Sequence, residues 1–194
     1  MPRRTDTRQR VLHTAAELFR RQGYQATGLN QVLQEGGAPK GSLYFHFPGG
    51  KEQLAVEAIT LAGTELCDTI AGVLASATDP VSGVDGVVRA LADDLVRSDF
   101  RRGCPLGTVA QTTVDNDAIR QACAAVFETW RRLVERALVA GGVPEDVAPS
   151  LATMTIAAVE GGQLLARNQK DVAPLLAVGT QLTELIRAHL REGQ

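Results

Sequence analysis

The chain has 194 residues, 44% of them hydrophobic and 22% charged, which is enough apolar material for a folded core and too much for a disordered chain. Its longest charge-free stretches, 22–34 and 147–159, have 13 residues each, short of the ~18 mostly apolar residues that cross a bilayer. The net charge of −2 hides an asymmetry: residues 1–51 hold eight basic and three acidic side chains, the rest twelve and nineteen. A basic N-terminal quarter on an acidic body is the charge layout of a nucleic-acid-reading head on a body that does not bind nucleic acid. The opening MPRRTDTRQR is basic with no apolar core behind it, so we expect no secretory signal and a cytoplasmic protein with no membrane association. Cys67, Cys104 and Cys123 are odd in number and far apart, a pattern that fits neither a disulfide framework nor a structural zinc site.

Alanine and leucine are abundant, aromatics are 4%, and no segment alternates with period two, so the expected fold is all-α with nine helices. The first helix is expected over 6–22, with Val11, Leu12, Ala15, Ala16, Leu18 and Phe19 on one face and Gly23 as a left-handed stop. A short helix over 28–35 follows, capped by the Thr27 hydroxyl and buried through Leu29, Val32 and Leu33. Gly36 and Gly37 make the turn, and a third helix over 39–45 starts with Pro39 at its first position. The PGG at 48–50 breaks the chain before a long helix over 51–76. After a loop at 76–83, helices are expected over 84–98, as a short helix opened by a Gly/Pro turn at 101–107 and ending near 114, over 117–140 with Asp115 or Asn116 as cap, over 144–168, and over 172–191 with Asp171 as cap.

Two short helices joined by a glycine turn, at 28–45, form a helix-turn-helix candidate. Its second helix, PKGSLYFHF, has the chemistry needed to lie in a DNA groove. Lys40 sits at the helix N-terminus, where backbone N–H groups already favour phosphate. Gly41 permits close approach, while Lys40, Ser42 and Leu43 occupy the first turn, from which base edges are reached. The Tyr44 hydroxyl suits a phosphate oxygen, Lys51 supplies a cation at the next helix, and Thr27 and His46 are further expected contacts. Two of the three lysines lie beside this motif. Phe45 and Phe47 are expected in the core. Arg3 and Arg4 form a short basic arm.

The segment AAELFRRQGYQATGLNQVLQEGGAPKGSLYFHFPGGKEQL (15–54) resembles the DNA-binding domain of the tetracycline-repressor (TetR) family. The resemblance is carried by Ala15, Ala16, Leu18, Phe19, Gly23, Tyr24, Thr27, Gly36, Lys40, Gly41, Tyr44, His46, Phe47, Lys51 and Leu54, about a quarter of the chain. It implies a transcriptional regulator, usually a repressor, that binds double-stranded operator DNA as a homodimer and is released by a small-molecule effector. The implied layout is a helix-turn-helix DNA-binding domain at 1–48 and a ligand-binding and dimerisation domain at 49–194. Two departures stand out: Pro39 replaces the Ser or Thr of many members, and an extra glycine separates Phe47 from Lys51. In the body, RRGCPLGTVA (101–110) and AAVEGGQLLARNQKDVAPL (157–175) are similar to the branch that includes the lincomycin-resistance repressor LmrA.

For the body we expect Phe100, Phe127, Trp130, Met154, Glu160, Gln163 and Arg167 to line an effector pocket between helices. Gly161 and Gly162 in mid-helix each cost about 1 kcal/mol against alanine, which close helix approach would compensate. With Leu151, Ala158, Leu165, Leu175, Leu182, Leu185 and Ile186 they form faces suited to a four-helix dimer interface. No GxSxG, HExxH, Walker loop or GxGxxG is present, and His13, His46 and His189 lie on separate elements, so neither an enzyme, a cofactor nor a metal is expected. Two other readings are a sequestering module that has lost DNA binding and a thiol redox sensor acting through Cys104.

Overall fold

A computed structural model describes residues 4–192, and the side chains of 6–190 within them. Arg3 of the expected basic arm, and the side chain of Arg4, lie outside what is described. Among the described residues there are nine helices and no strand. They are α1 (Arg4–Ala26), α2 (Leu29–Glu35), α3 (Ser42–His46), α4 (Gly50–Ser76), α5 (Pro80–Arg97), α6 (Gly107–Ala110), α7 (Asp117–Ala140), α8 (Ala148–Gln169) and α9 (Ala173–Glu192). The helices form two compact units, Met1–Glu65 with Cys104–Val126, and Leu66–Gly103 with Phe127–Gln194. Both α4 and α7 run through the two units.

In the first unit α1 buries Val11, Ala15, Leu18 and Phe19 at i, i+4, i+7 and i+8. Val32 and Leu33 of α2, Leu43 of α3, Phe47, and Leu54, Ala55, Ala58 and Ile59 of α4 are buried too. The helical run of α1 breaks at Gly23, whose φ of 80° and ψ of 172° are not left-handed helical as expected but extended with positive φ, a region glycine alone enters freely. The same glycine permits close packing, since a Cβ there would sit 3.3 Å from Thr108 Cγ2. The Thr108 hydroxyl donates to the Arg20 carbonyl at 3.4 Å, so α6 lies along the end of α1. Asn116 is the α7 cap: its Oδ1 accepts from the Ile119 N–H at 2.9 Å. Its Nδ2 donates to Glu52 Oε2 at 2.6 Å on the first turn of α4.

The second unit is built on α5, α8 and α9. Val84, Val88, Leu91 and Leu95 on α5 meet Leu151, Ala152, Val159 and Ala166 on α8, and Leu175, Leu182 and Ile186 on α9. Helix α5 starts four residues before the expected position. Asp79 Oδ1 accepts from the Ser82 N–H at 2.9 Å while the Asp79 N–H donates to Ser82 Oγ, a reciprocal capping box with Pro80 in the first turn. Gly162 gives the anticipated close approach, a Cβ there falling 3.1 Å from Leu175 Cδ1, but the neighbour is α9 of the same chain. Gly161 has open space around it. This corrects the expected dimer face: Leu151, Gly162, Leu175, Leu182 and Ile186 are buried within one chain, and Ala158 and Leu185 pack half-buried against the same core.

By length and composition α4 alone among the described helices is apolar enough to cross a bilayer, with a window of mean hydropathy 1.4. The unbroken-stretch criterion applied to the sequence misses it because the window tolerates two charges. Of that window 22% is buried, and Leu54, Ala55, Ala58, Ile59 and Ile70 are among the core residues of α4.

Candidate nucleic-acid interface

The turn between α2 and α3 is fixed by two glycines with different tasks. The Ala38 N–H donates to the Leu33 carbonyl at 2.9 Å and the Gly37 N–H to the Gln34 carbonyl at 3.2 Å, a Schellman closure with Gly37 at φ 61°. Gly36 is required by proximity: a Cβ there would lie 3.3 Å from Thr14 Oγ1 and 3.4 Å from Val11 Cα, so α2 ends hard against α1. Arg10, which pairs with Asp6 at 2.8 Å, also donates to the Gly36 carbonyl at 3.3 Å and ties the turn to α1.

Pro39 does not open α3. The Ser42 N–H donates to the Pro39 carbonyl at 2.9 Å, which makes 39–42 a turn, and the helix begins at Ser42 with Gly41 before it. This later start rotates the face that points outward. Leu43 is 2% exposed and its carbonyl accepts from the Phe47 N–H at 2.7 Å, so it is corrected from a base contact to a core residue. Tyr44 and Phe45 stand out at 65% and 61% exposure, which moves Phe45 from the expected core to the surface. The Phe45 ring meets His46 edge-on at 5.0 Å, and His46 is half-buried. Lys40 and Gly41 are exposed, and a Cβ at Gly41 would meet nothing within 4 Å. The Ser42 hydroxyl donates to the Pro39 carbonyl at 2.7 Å.

Thr27 departs from expectation in both its roles. It is 1% exposed, and its hydroxyl donates to the Gly23 carbonyl at 2.7 Å, bridging the break in α1. Gly28 caps α2 without any side-chain bond.

Lys51 is positioned by a residue to which sequence reasoning gave no role. Its ammonium lies 4.4 Å from the centroid of the Tyr24 ring, and that ring packs on Phe19 at 5.8 Å. Burial pushes the Lys51 pKa down. Burial, and then the nearby Glu52 carboxylate, push that of Tyr24 up. The available signal was an aromatic residue directly after the Gly23 break. Next to Lys51, Gly50 has φ 66° and its N–H donates to the Phe47 carbonyl at 2.9 Å. The extra glycine thus supplies the positive φ that starts α4. A Cβ on Gly50 would lie 3.6 Å from Tyr44 Cε1, so the Tyr44 ring stands beside the α4 N-terminus.

Arg8 is engaged inside the protein. It pairs with Glu57 at 2.5 Å and covers the Phe47 ring at 4.9 Å. Gln53 donates to Glu57 at 3.0 Å and accepts from the Gly49 N–H at 2.8 Å, which braces the PGG turn.

In the body, Trp130 is 2% exposed and meets the half-buried Phe127 edge-on at 5.5 Å. Phe100 is half-buried at φ 55° and follows Asp99 at φ 51°, two successive non-glycine residues in left-handed conformation. Their N–H groups close the end of α5, Phe100 to the Leu95 carbonyl at 2.7 Å and Asp99 to that of Val96 at 3.0 Å. Arg167 donates to the Arg101 carbonyl at 3.4 Å, Glu160 is half-buried, and Gln163 is 5% exposed. Met154 is 54% exposed, which moves it from the expected pocket lining to an outer face with Gly161, Leu164 and Leu165. Cys104 is 6% exposed and its sulfur accepts from the Leu106 N–H at 3.4 Å. Among the described residues no group of three or more His, Cys, Asp or Glu could hold a metal.

Comparison with known proteins gives both halves a match. Residues 11–58 match the family described as bacterial regulatory proteins, tetR family. Residues 80–181 match the transcriptional regulator LmrA/YxaF-like C-terminal domain. The chain is 39% identical to the uncharacterized HTH-type transcriptional regulator YxaF of Bacillus subtilis over 188 residues, 96% of this chain and 98% of that one. It is 37% identical to the HTH-type transcriptional regulator LmrA of the same organism over 183 residues, covering 94% and 97%. Among solved structures it resembles a TetR transcriptional regulator from Chloroflexus aurantiacus at TM-score 0.76 and 31% identity, covering 94% of this chain and 95% of that one. It shares its fold with a cysteine mutant of the TetR-family regulator CifR, complexed with 26-bp double-strand operator DNA, at TM-score 0.78 and 24% identity over 91% and 94% of the two chains.

Proposed function

The chain belongs to the TetR family of DNA-binding transcriptional regulators, which are not enzymes, and we propose that it is a homodimeric cytoplasmic repressor that binds a palindromic operator and leaves it when a small, mainly apolar effector binds. Residues 1–48 are the reading head, and 49–194 are the effector-binding and dimerisation body. The observation that carries this reading is the pairing of Tyr44, 65% exposed on α3, with Lys51, held on the Tyr24 ring at the start of α4. An exposed phenol and a positioned cation beside a helix N-terminus are what a phosphate oxygen calls for.

In this reading α3 enters the major groove, and Lys40, Gly41, Ser42, Tyr44, His46 and Lys51 make the contacts. Thr27 and Leu43 act from beneath by packing. Two copies join through the outer face of α8, where Met154, Gly161, Leu164 and Leu165 are exposed, together with α9. Effector binding shifts the population of body shapes, and α4, which runs through both compact units, carries the shift to the head. The Thr108–Arg20 and Asn116–Glu52 hydrogen bonds support a second route through α6 and the α7 cap. Burial of Cys104 favours a structural role, so Cys104→Ser is expected to keep the effector response.

Selection of bound fragments from the source genome tests this directly. A palindromic site bound with a Kd of about 10 nM, and released by a compound related to the adjoining genes, is the expected result. Recovery of no preferred sequence would overturn the repressor reading and favour a sequestering module.

A further inference from the structure

Five polar side chains are buried among the described residues: Thr27, Thr113, Thr155, Gln163 and Thr183. Each threonine donates to a carbonyl within four residues of itself: Thr27 to Gly23 at 2.7 Å, and Thr113, Thr155 and Thr183 to Val109, Leu151 and Thr180 at 2.8 Å each. The Gln163 amide makes no such bond to any described residue, although Gln163 is 5% exposed. Every fully enclosed side-chain nitrogen or oxygen among the described residues does have a partner. The Gln163 amide therefore borders accessible space rather than packed protein, while the rest of its side chain is sunk in the core. Its neighbours on α8, Val159 one turn before and Ala166 one turn after, belong to the apolar core shared by α5, α7, α8 and α9. No described protein group satisfies this amide, so a molecule that enters the space it borders can pair with it in place of water, a contact worth on the order of 1 kcal/mol.

Charge narrows the class of that group. Glu160 and Arg167 flank Gln163 at i−3 and i+4, one of each sign, and Arg167 is already bonded to the Arg101 carbonyl. A net ionic group beside a neutral amide in an apolar core would lack compensation, and a pure hydrocarbon would leave the amide unpaired. We propose that Gln163 is the polar anchor of the effector site, and that the effector is an uncharged, mainly apolar molecule that presents a hydroxyl or carbonyl oxygen to this amide. This rests on the reading of 49–194 as an effector-binding body and narrows the chemistry that body accepts.

The test compares two probes of one shape, naphthalene and 2-naphthol, titrated calorimetrically into the intact protein and into Gln163→Leu. The expected result is that 2-naphthol binds the native protein about tenfold more tightly than naphthalene, and that the leucine variant loses this preference. Without probe, Gln163→Leu should melt no lower than the native protein, because it removes an unpaired polar group at nearly constant volume. Equal affinity for the two probes overturns the inference, as does failure of both to bind. A leucine variant that melts several degrees lower overturns it too, since the amide would then be serving the fold. None of these outcomes touches operator release by a cognate effector, which the fragment-selection assay judges separately.

Discussion

Two surfaces of this chain expose large apolar side chains in very different company. On α3, Tyr44 and Phe45 project from a five-residue helix among Lys40, His46 and Lys51. On α8, Met154, Leu164 and Leu165 project from a 22-residue helix beside Gly161, with open space around it. The α3 helix is too short to hold itself and depends on Leu43 and Phe47 beneath it. The α8 helix is fully supported by its own chain along the opposite side, through Leu151, Ala152, Val159, Gly162 and Ala166. Exposure alone therefore does not define a site. Cations and hydroxyls around an exposed ring suit a polyanion, whereas small residues around exposed leucines suit another apolar surface.

The comparison breaks most sharply inside α3. Phe47→Ala should lower stability by about 3–5 kcal/mol in chemical denaturation, because the ring is wholly buried. Tyr44→Ala, three residues away, should change stability by no more than about 0.5 kcal/mol and still weaken operator binding about ten- to hundredfold. Equal effects of the two on stability would erase the distinction between support and contact. On α8, the double change Leu164→Glu with Leu165→Glu should leave the helix content intact and raise the self-association Kd at least about tenfold in sedimentation. Unchanged self-association would mean that this face has another use.

A smaller effect is expected from Tyr24→Leu. It removes the ring under the Lys51 ammonium but keeps the cation, so operator affinity should fall only about two- to fivefold, with the salt dependence unchanged. The smallest effect lies far from both surfaces. Hydrogen bonds from Arg131 and then Arg132 pull the Glu128 pKa down from 4.5 to about 2. A depressed carboxylate contributes stability above its unfolded value and loses it as the pH falls. The melting difference between the native protein and Glu128→Gln should thus be constant above pH 4.5 and shrink toward pH 2. High salt should reduce it at every pH, since Arg132 is exposed and Glu128 and Arg131 are only half-buried.

Much of the fold is local and was legible for that reason. Gly37, Asn116 and Asp171 mark helix ends through contacts within a few residues, and the Ala173 N–H donates to Asp171 Oδ1 at 3.0 Å, whereas Gly23 marks a break inside α1 rather than its end. The capping box at Asp79 is hard to see in the sequence because serine, not glutamate, occupies its third position. The rotation of α3 is hidden in the sequence because Pro39 looks like a helix start, whereas it opens a turn that delays the helix to Ser42. The apolar stripes of α8 and α9 suggest a surface between copies because periodicity tells which face is buried but not whose chain covers it. Tyr24 under Lys51 is invisible to any local pattern, since the two are 27 positions apart.

Operator binding by the native protein and by Lys51→Ala, followed by fluorescence anisotropy across a salt series, tests the central claim most directly. If the cation on the Tyr24 ring neutralises a phosphate, the variant binds more weakly to every DNA and its log–log salt slope is shallower by about 0.9 for each lost contact. An unchanged affinity with an unchanged slope would contradict the assignment of this face to DNA.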